Sequence, residues 1–142
     1  MNKFSVFMFN ETTSLYLTRD FGYETSYNLD GYVRAFLFEL EVPNRSSQMP
    51  AAAAVAERFE LPEWRITEHK KDLQKLYNHK TAKAVIPNFE SQSRLILSRT
   101  DNQMIDITFK TSYLEYRLTA NMTFTIRAGQ TVIQKFLEAL NQ

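Results

Sequence analysis

The stretch from Tyr27 to Val42, "YNLDGYVRAFLFELEV", decides how the rest of the chain is read. Asp30-Gly31 stands between two apolar runs, and this residue pair suits a two-residue type I′ hairpin turn because both turn positions need positive φ. After the turn, Phe36, Phe38, Leu40 and Val42 fall on one strand face while Val33, Ala35 and Leu37 fall on the other. The strand is therefore expected to be covered on both sides near its start and to lie centrally in an antiparallel sheet.

Working outward toward the N terminus, β-branched and aromatic residues recur with a period near two and predict strands at 3–9, 13–19 and 23–29, ahead of the one at 32–42. In the other direction, "VPNRSSQMP" (42–50) carries two prolines among polar residues and reads as a surface loop. "PAAAAVAERFE" (50–60) opens on a proline tolerated in a first helical turn and continues with strong helix formers, so a helix is expected there. A second helix is expected from Pro62 to Asn78, with Ile66, Leu73, Leu76 and Tyr77 on its apolar face. Strand alternation returns in "SRLILSR" (93–99), "MIDITFK" (104–110), "YLEYRLT" (113–119) and "NMTFTIR" (121–127). The chain closes on "TVIQKFLEAL" (131–140), an amphipathic helix in which Thr131 and Gln134 have capping-box spacing.

End to end, this predicts an α+β fold of two antiparallel four-stranded meanders, each followed by helix, in one domain spanning 1–142. That element order resembles the Whirly and PC4-like proteins, in which curved four-stranded sheets are each followed by a helix. The resemblance implies single-stranded nucleic-acid binding; some bacterial toxin-immunity proteins are built on a similar plan. It rests on element order and carries no functional residue across.

The totals exclude several classes. A chain of 142 residues that is 44% hydrophobic and 13% aromatic supplies a full core, and 17 basic against 16 acidic side chains give no global field for anionic partners. There is no cysteine, which removes disulfides, thiolate nucleophiles and Cys-ligated metal. The apolar run near the N terminus is too short for a signal-peptide core and alternates like a strand, and no stretch spans a bilayer, so a cytoplasmic protein without membrane contact is expected. The three glycines, Gly22, Gly31 and Gly129, form no phosphate-cradling pattern, and no serine-nucleophile signature occurs. No catalytic residue, cofactor or metal is therefore assigned, and the protein is read as a non-enzyme.

Some side chains invite chemistry but have plainer readings. His69 and His79, ten residues apart, are expected as surface histidines at a helix and just past its end. The carboxylate pairs Glu39/Glu41, Glu57/Glu60 and Glu68/Asp72 are expected as solubilising charges, with Glu57 and Glu60 sharing a helix face. Trp64, Phe21, Tyr23, Tyr27 and Tyr32 are expected mostly in the core.

The most polarised segment is "HKKDLQKLYNHKTAK" (69–83), which sets Lys70, Lys71, Lys75, Lys80 and Lys83 against Asp72 alone. Residues 1–62 hold 5 basic and 8 acidic side chains, and residues 63–142 hold 12 and 8. This segregation suits docking to a charged protein partner, and the predicted binding residues are Lys70, Lys71, Lys75, Lys80, Lys83 and Arg117. The expected role is non-catalytic binding by protein–protein contact, of inhibitor, immunity or adaptor type. The alternative is single-stranded nucleic-acid binding through the same segment, extended by Arg94, Arg99, Lys110, Arg117 and Arg127. Against it, Asp106 and Glu115 interrupt the positive face of the last sheet, and only Tyr113 offers a stacking ring there.

Overall fold

The computed structural model describes residues 3–7, 14–27, 31–42, 53–115 and 118–141. In chain order the elements are β1 (Lys3–Phe7), β2 (Ser14–Arg19), a 3-10 turn (Phe21–Tyr23), β3 (Thr25–Tyr27), β4 (Gly31–Val42), β5 (Ala53–Pro62), α1 (Glu63–Tyr77), β6 (Lys83–Pro87), β7 (Arg94–Arg99), β8 (Met104–Glu115), β9 (Leu118–Gly129) and α2 (Val132–Leu140). The class is α+β, with two antiparallel sheets. Among the described residues no helix is long and apolar enough to cross a membrane.

β4 is the hub of the first sheet. One of its edges takes β2 and β3 in series, with Leu17 opposite Phe38 and Ser26 opposite Tyr32, and β1 pairs beyond β2. The other edge takes β5 along its whole length, with Phe59 opposite Phe36. The second sheet is a simple meander, β6-β7-β8-β9.

Several expectations change. The segment 50–60, read as helix, is strand from Ala53 on, because β4 needs a partner and the odd positions Phe59 and Leu61 supply buried side chains at a period of two. Tertiary pairing overrides the helical propensity of the alanines. The segment 113–119 is not a strand of its own but divides between the end of β8 and the start of β9, while β6 supplies the fourth strand. The order is thus five strands, helix, four strands, helix: the second half is a four-stranded meander followed by a helix, as expected, though built from β6 to β9, and the first half is not. The first sheet is not a meander, since β2 and β3 both pair with β4, so the order departs from the Whirly and PC4-like plan. The β3–β4 hairpin forms, but Tyr27 lies opposite Gly31, which makes Gly31 a strand residue rather than the second residue of a turn. The rest of that turn and the expected loop at 43–50 lie outside the described residues.

The inner faces of both sheets and one face of each helix build a common core. Phe38 and Phe59 of the first sheet meet Phe109 of the second, with ring centres 5.5 Å apart for Phe38 and Phe109 and 6.3 Å for Phe59 and Phe109. α1 contributes Ile66, His69, Leu73 and Leu76, and α2 contributes Val132, Ile133, Phe136, Ala139 and Leu140. Each fully buried Phe, Leu or Ile stabilises by about 1.5 to 3 kcal/mol relative to exposure. The expected side-chain capping box at α2 does not form; instead the Gln134 N–H donates to the Thr131 carbonyl.

Two joints set the outer surface. α1 ends in a Schellman turn, in which Lys80 N–H donates to Lys75 O and His79 N–H to Leu76 O, with His79 at φ 61°. Arg99 of β7 completes this end by donating to Leu76 O at 2.6 Å. At the second joint, Asn88 ties the β6–β7 turn to the open edge of β5. Its Oδ1 accepts from Glu60 N–H and its Nδ2 donates to Arg58 O, while Phe89 N–H donates to Glu60 O.

Candidate functional site

The lysine segment is spread along the surface and does not converge. Lys71 and Lys75 are exposed one turn apart on α1, Lys70 is half-buried, Lys80 is exposed just past the Schellman turn, and Lys83 is exposed at the start of β6. Arg117 lies outside the described residues. Lys80 borders a cleft of ≈ 450 Å³ with His79, Thr81, Asp101 and Asn102, but Arg99 within it is committed to the α1 terminus and to the carbonyls of Asp101 and Asn102. Arg127 is likewise spent on Asp106, at 2.9 Å.

A denser constellation lies where β4 and α1 begin. Arg19 ends β2, and the 3-10 turn that follows brings Glu24 back against it. The Glu24 carboxylate accepts from Arg19 Nε at 2.6 Å, from the second Arg19 nitrogen at 2.8 Å, from Tyr32 OH at 2.7 Å and from Ala35 N–H at 3.2 Å. Burial pushes this carboxyl up, but the hydrogen bonds from Arg19, Tyr32 and Ala35, with the Arg19 charge, outweigh it and hold Glu24 below the usual carboxylate range. The same bond to Glu24 raises Arg19 and Tyr32 above their ordinary values.

This charged clamp presents aromatic rings to the outside. Arg19 also lies over the Phe21 ring at 4.4 Å, and Phe21 is 60% exposed. Two residues along β4 from Tyr32, which is 37% exposed, Arg34 reaches Glu63 at 3.1 Å and so ties the first turn of α1 to the same rim. Trp64 follows, 51% exposed, with the Arg65 guanidinium 4.7 Å from its ring centre. Phe21, Tyr32 and Trp64 are therefore not core residues, as their enrichment in a strand-rich segment suggested. The exposure of Phe21 depends on the 3-10 turn, which alternation does not locate, whereas Trp64 lies on the first turn of the helix expected from Pro62 to Asn78 and observed at Glu63–Tyr77, off its apolar stripe. A readable signal was present in Arg19 and Glu24, which flank a short Gly-containing turn.

Three titratable groups sit deeper than expected. His69, read as a surface histidine, is 4% exposed because it continues the Ile66, Leu73 and Leu76 stripe of α1. Burial, with the Arg65 charge adding, pushes its imidazole down, against opposing pulls from Asp72 and Glu68. Glu57 and Glu60 lie on a strand three residues apart, so they point to opposite faces and not to a shared helix face. Glu57 shares the inward face with Phe59; burial pushes it up, the Ser93 hydroxyl opposes the shift, and its Oε2 has no hydrogen-bond partner. Burial, then the Glu90 charge, raises Glu60, with Arg58 opposing. Opposite faces of β5 keep these two carboxyls apart, and among the described residues no group of three His, Asp or Glu side chains is placed to hold a metal ion.

No protein-family model and no curated protein matches this chain.

Proposed function

We propose that this is a binding protein that acts by protein–protein contact, in the manner of an inhibitor, immunity or adaptor protein, and that its contact surface is the rim of Phe21, Tyr32 and Trp64. One observation carries the reading: three large aromatic side chains are exposed on the elements around Glu24 and Glu63, and arginines lie against two of those rings. Trp, Tyr and Arg dominate the energetics of protein interfaces: the two aromatics bury much area with few rotors to freeze, and the planar guanidinium stacks and hydrogen-bonds at once. Arg19, locked by Glu24, and Arg65 offer cation–π contacts that strengthen when a partner excludes water.

A photo-crosslinking residue at position 64, compared with one at position 71, tests this in an extract of the host cell. An adduct formed from position 64, competed by unlabelled protein and lost with Phe21→Ala at unchanged melting temperature, supports the rim. Equal adducts from both positions, or indifference to Phe21→Ala, sinks it.

Single-stranded nucleic-acid binding is the second reading. It is favoured by Lys71, Lys75, Lys80 and Lys83, which are exposed and make no ion pair among the described residues. Fluorescence polarisation of a labelled single-stranded oligonucleotide decides it: affinity that falls steeply with salt, and falls again with Lys71→Glu and Lys75→Glu, would promote this reading.

A further inference from the structure

Of the arginines with described side chains, six are committed: Arg19 to Glu24, Arg34 to Glu63, Arg58 to Asp20, Arg65 to Glu68, Arg127 to Asp106 and Arg99 to backbone carbonyls. Arg94 is the exception among the described residues. It is exposed on the outer face of the second sheet, and the residue directly opposite it on the neighbouring strand is a second exposed cation, Lys110. Like charges facing each other across a strand pair destabilise a sheet. Asp106, the described carboxylate on this face of β8, is four residues from Lys110, roughly 13 Å along the strand, and is already paired with Arg127.

The surroundings of this pair are concave and rich in donors. A cleft of ≈ 330 Å³ is lined by Gln92, Arg94, Lys110, Ser112, Asn121 and Thr123, together with Met122 and Thr111. Thr123 continues the row from Arg94 through Lys110, and Ser112 faces Asn121 in the next row of the same sheet face. The Ser112 hydroxyl donates to Asn121 Oδ1 at 2.7 Å, which turns the amide nitrogen of Asn121 into the available donor. Two unneutralised cations, an amide donor and a hydroxyl at Thr123 thus border one depression.

We propose that this cleft is a binding site for a phosphate monoester, with Arg94 and Lys110 as charge partners and Asn121 and Thr123 as neutral donors. A dianionic phosphoryl group matches two cations, and the planar Arg94 fork suits two of its oxygens while Lys110 supplies a point charge. The cleft is at the small end of the range for ligand pockets, which fits one phosphate and a short substituent. The site lies on a different element set from the aromatic rim, so it stands or falls independently of the protein-contact reading.

Titration of the whole chain with inorganic phosphate, followed by ¹H–¹⁵N NMR against sodium chloride at matched ionic strength, tests the proposal. Saturable shifts confined to residues 92–94, 110–112 and 121–123 are expected. They should be tighter at about pH 8 than at about pH 5.5, because inorganic phosphate gains its second negative charge between these values, as a phosphate monoester does near 6. Arg94→Gln and Lys110→Gln should each weaken binding roughly tenfold, and phosphate should raise the melting temperature of the native chain more than that of either variant. Shifts that do not saturate, that chloride reproduces, or that survive both substitutions overturn the site. A short single-stranded oligonucleotide, which offers only monoanionic diesters, overturns the monoester assignment if it takes the same cross-peaks more tightly than phosphate.

Discussion

Phe38 of the first sheet and Phe109 of the second lie nearly parallel, with ring centres 5.5 Å apart and planes inclined by 15°. This stack joins the two sheets, so truncation on either side opens a cavity between them. Phe109→Ala should cost about 3 to 5 kcal/mol. Phe124, half-buried on the edge strand β9, should lose clearly less when replaced by alanine. Chemical denaturation of both variants checks the contrast, and equal losses would contradict the packing.

Acid should weaken the clamp around Glu24. Its folded-state pKa is depressed, so the stability it contributes is fully present above the ordinary glutamate value of about 4.3 and is lost as pH falls through the lower folded value. Glu24→Gln leaves Arg19, whose side chain is 9% exposed, without its partner and should cost about 3 kcal/mol or more at neutral pH. The variant should also show a flatter stability profile below about pH 4.3. Melts from neutral to acid pH measure both effects.

Glu57 runs the opposite way. Its folded-state pKa is raised, so the stability gained from its neutral form is lost as pH climbs from the ordinary carboxylate range through the raised value. Glu57→Gln keeps the shape without a charge opposite Phe38, and should raise the melting temperature at pH 7 by roughly 2 to 4 °C with little change in acid. A lower melting temperature at pH 7 would mean that the charged form is well accommodated.

How much of this was legible in sequence follows from the range over which each cause acts. β4 could be read because both of its faces alternate within one short stretch. β5 was concealed because the alanines after Pro50 favour helix, whereas the period of two in Glu57, Phe59 and Leu61 becomes decisive only once β4 requires a neighbour. β6 is a five-residue strand ending in proline, too short for alternation to register. His69 could have been read correctly, since it stands three residues from Ile66 and four from Leu73 on the apolar stripe. The candidate sites were less accessible. The lysines were visible as a run, yet they do not converge, whereas the Arg94 and Lys110 pair exists only through the β7–β8 register and through the pairing of Asp106 elsewhere.

His79 holds a left-handed backbone that a residue with a β-carbon adopts at a cost, and the Schellman hydrogen bonds keep it there. Glycine removes the steric penalty but adds unfolded-state entropy, so His79→Gly should stabilise by roughly 0.5 to 1 kcal/mol. Asparagine should fall between the two. A denaturation series over the three side chains gives the order directly.

Asn88 has a consequence for how the protein behaves when damaged. The Arg58 carbonyl and the Glu60 N–H and carbonyl face away from β4 and are occupied by Asn88 and Phe89. Without that amide, the Arg58 carbonyl and the Glu60 N–H lose their partners and lengthen the open edge of β5, the kind of template on which a second chain can add. The side chain that fastens one sheet to the other therefore also keeps molecules apart, and its loss should appear as self-association on partial heating before it appears as unfolding.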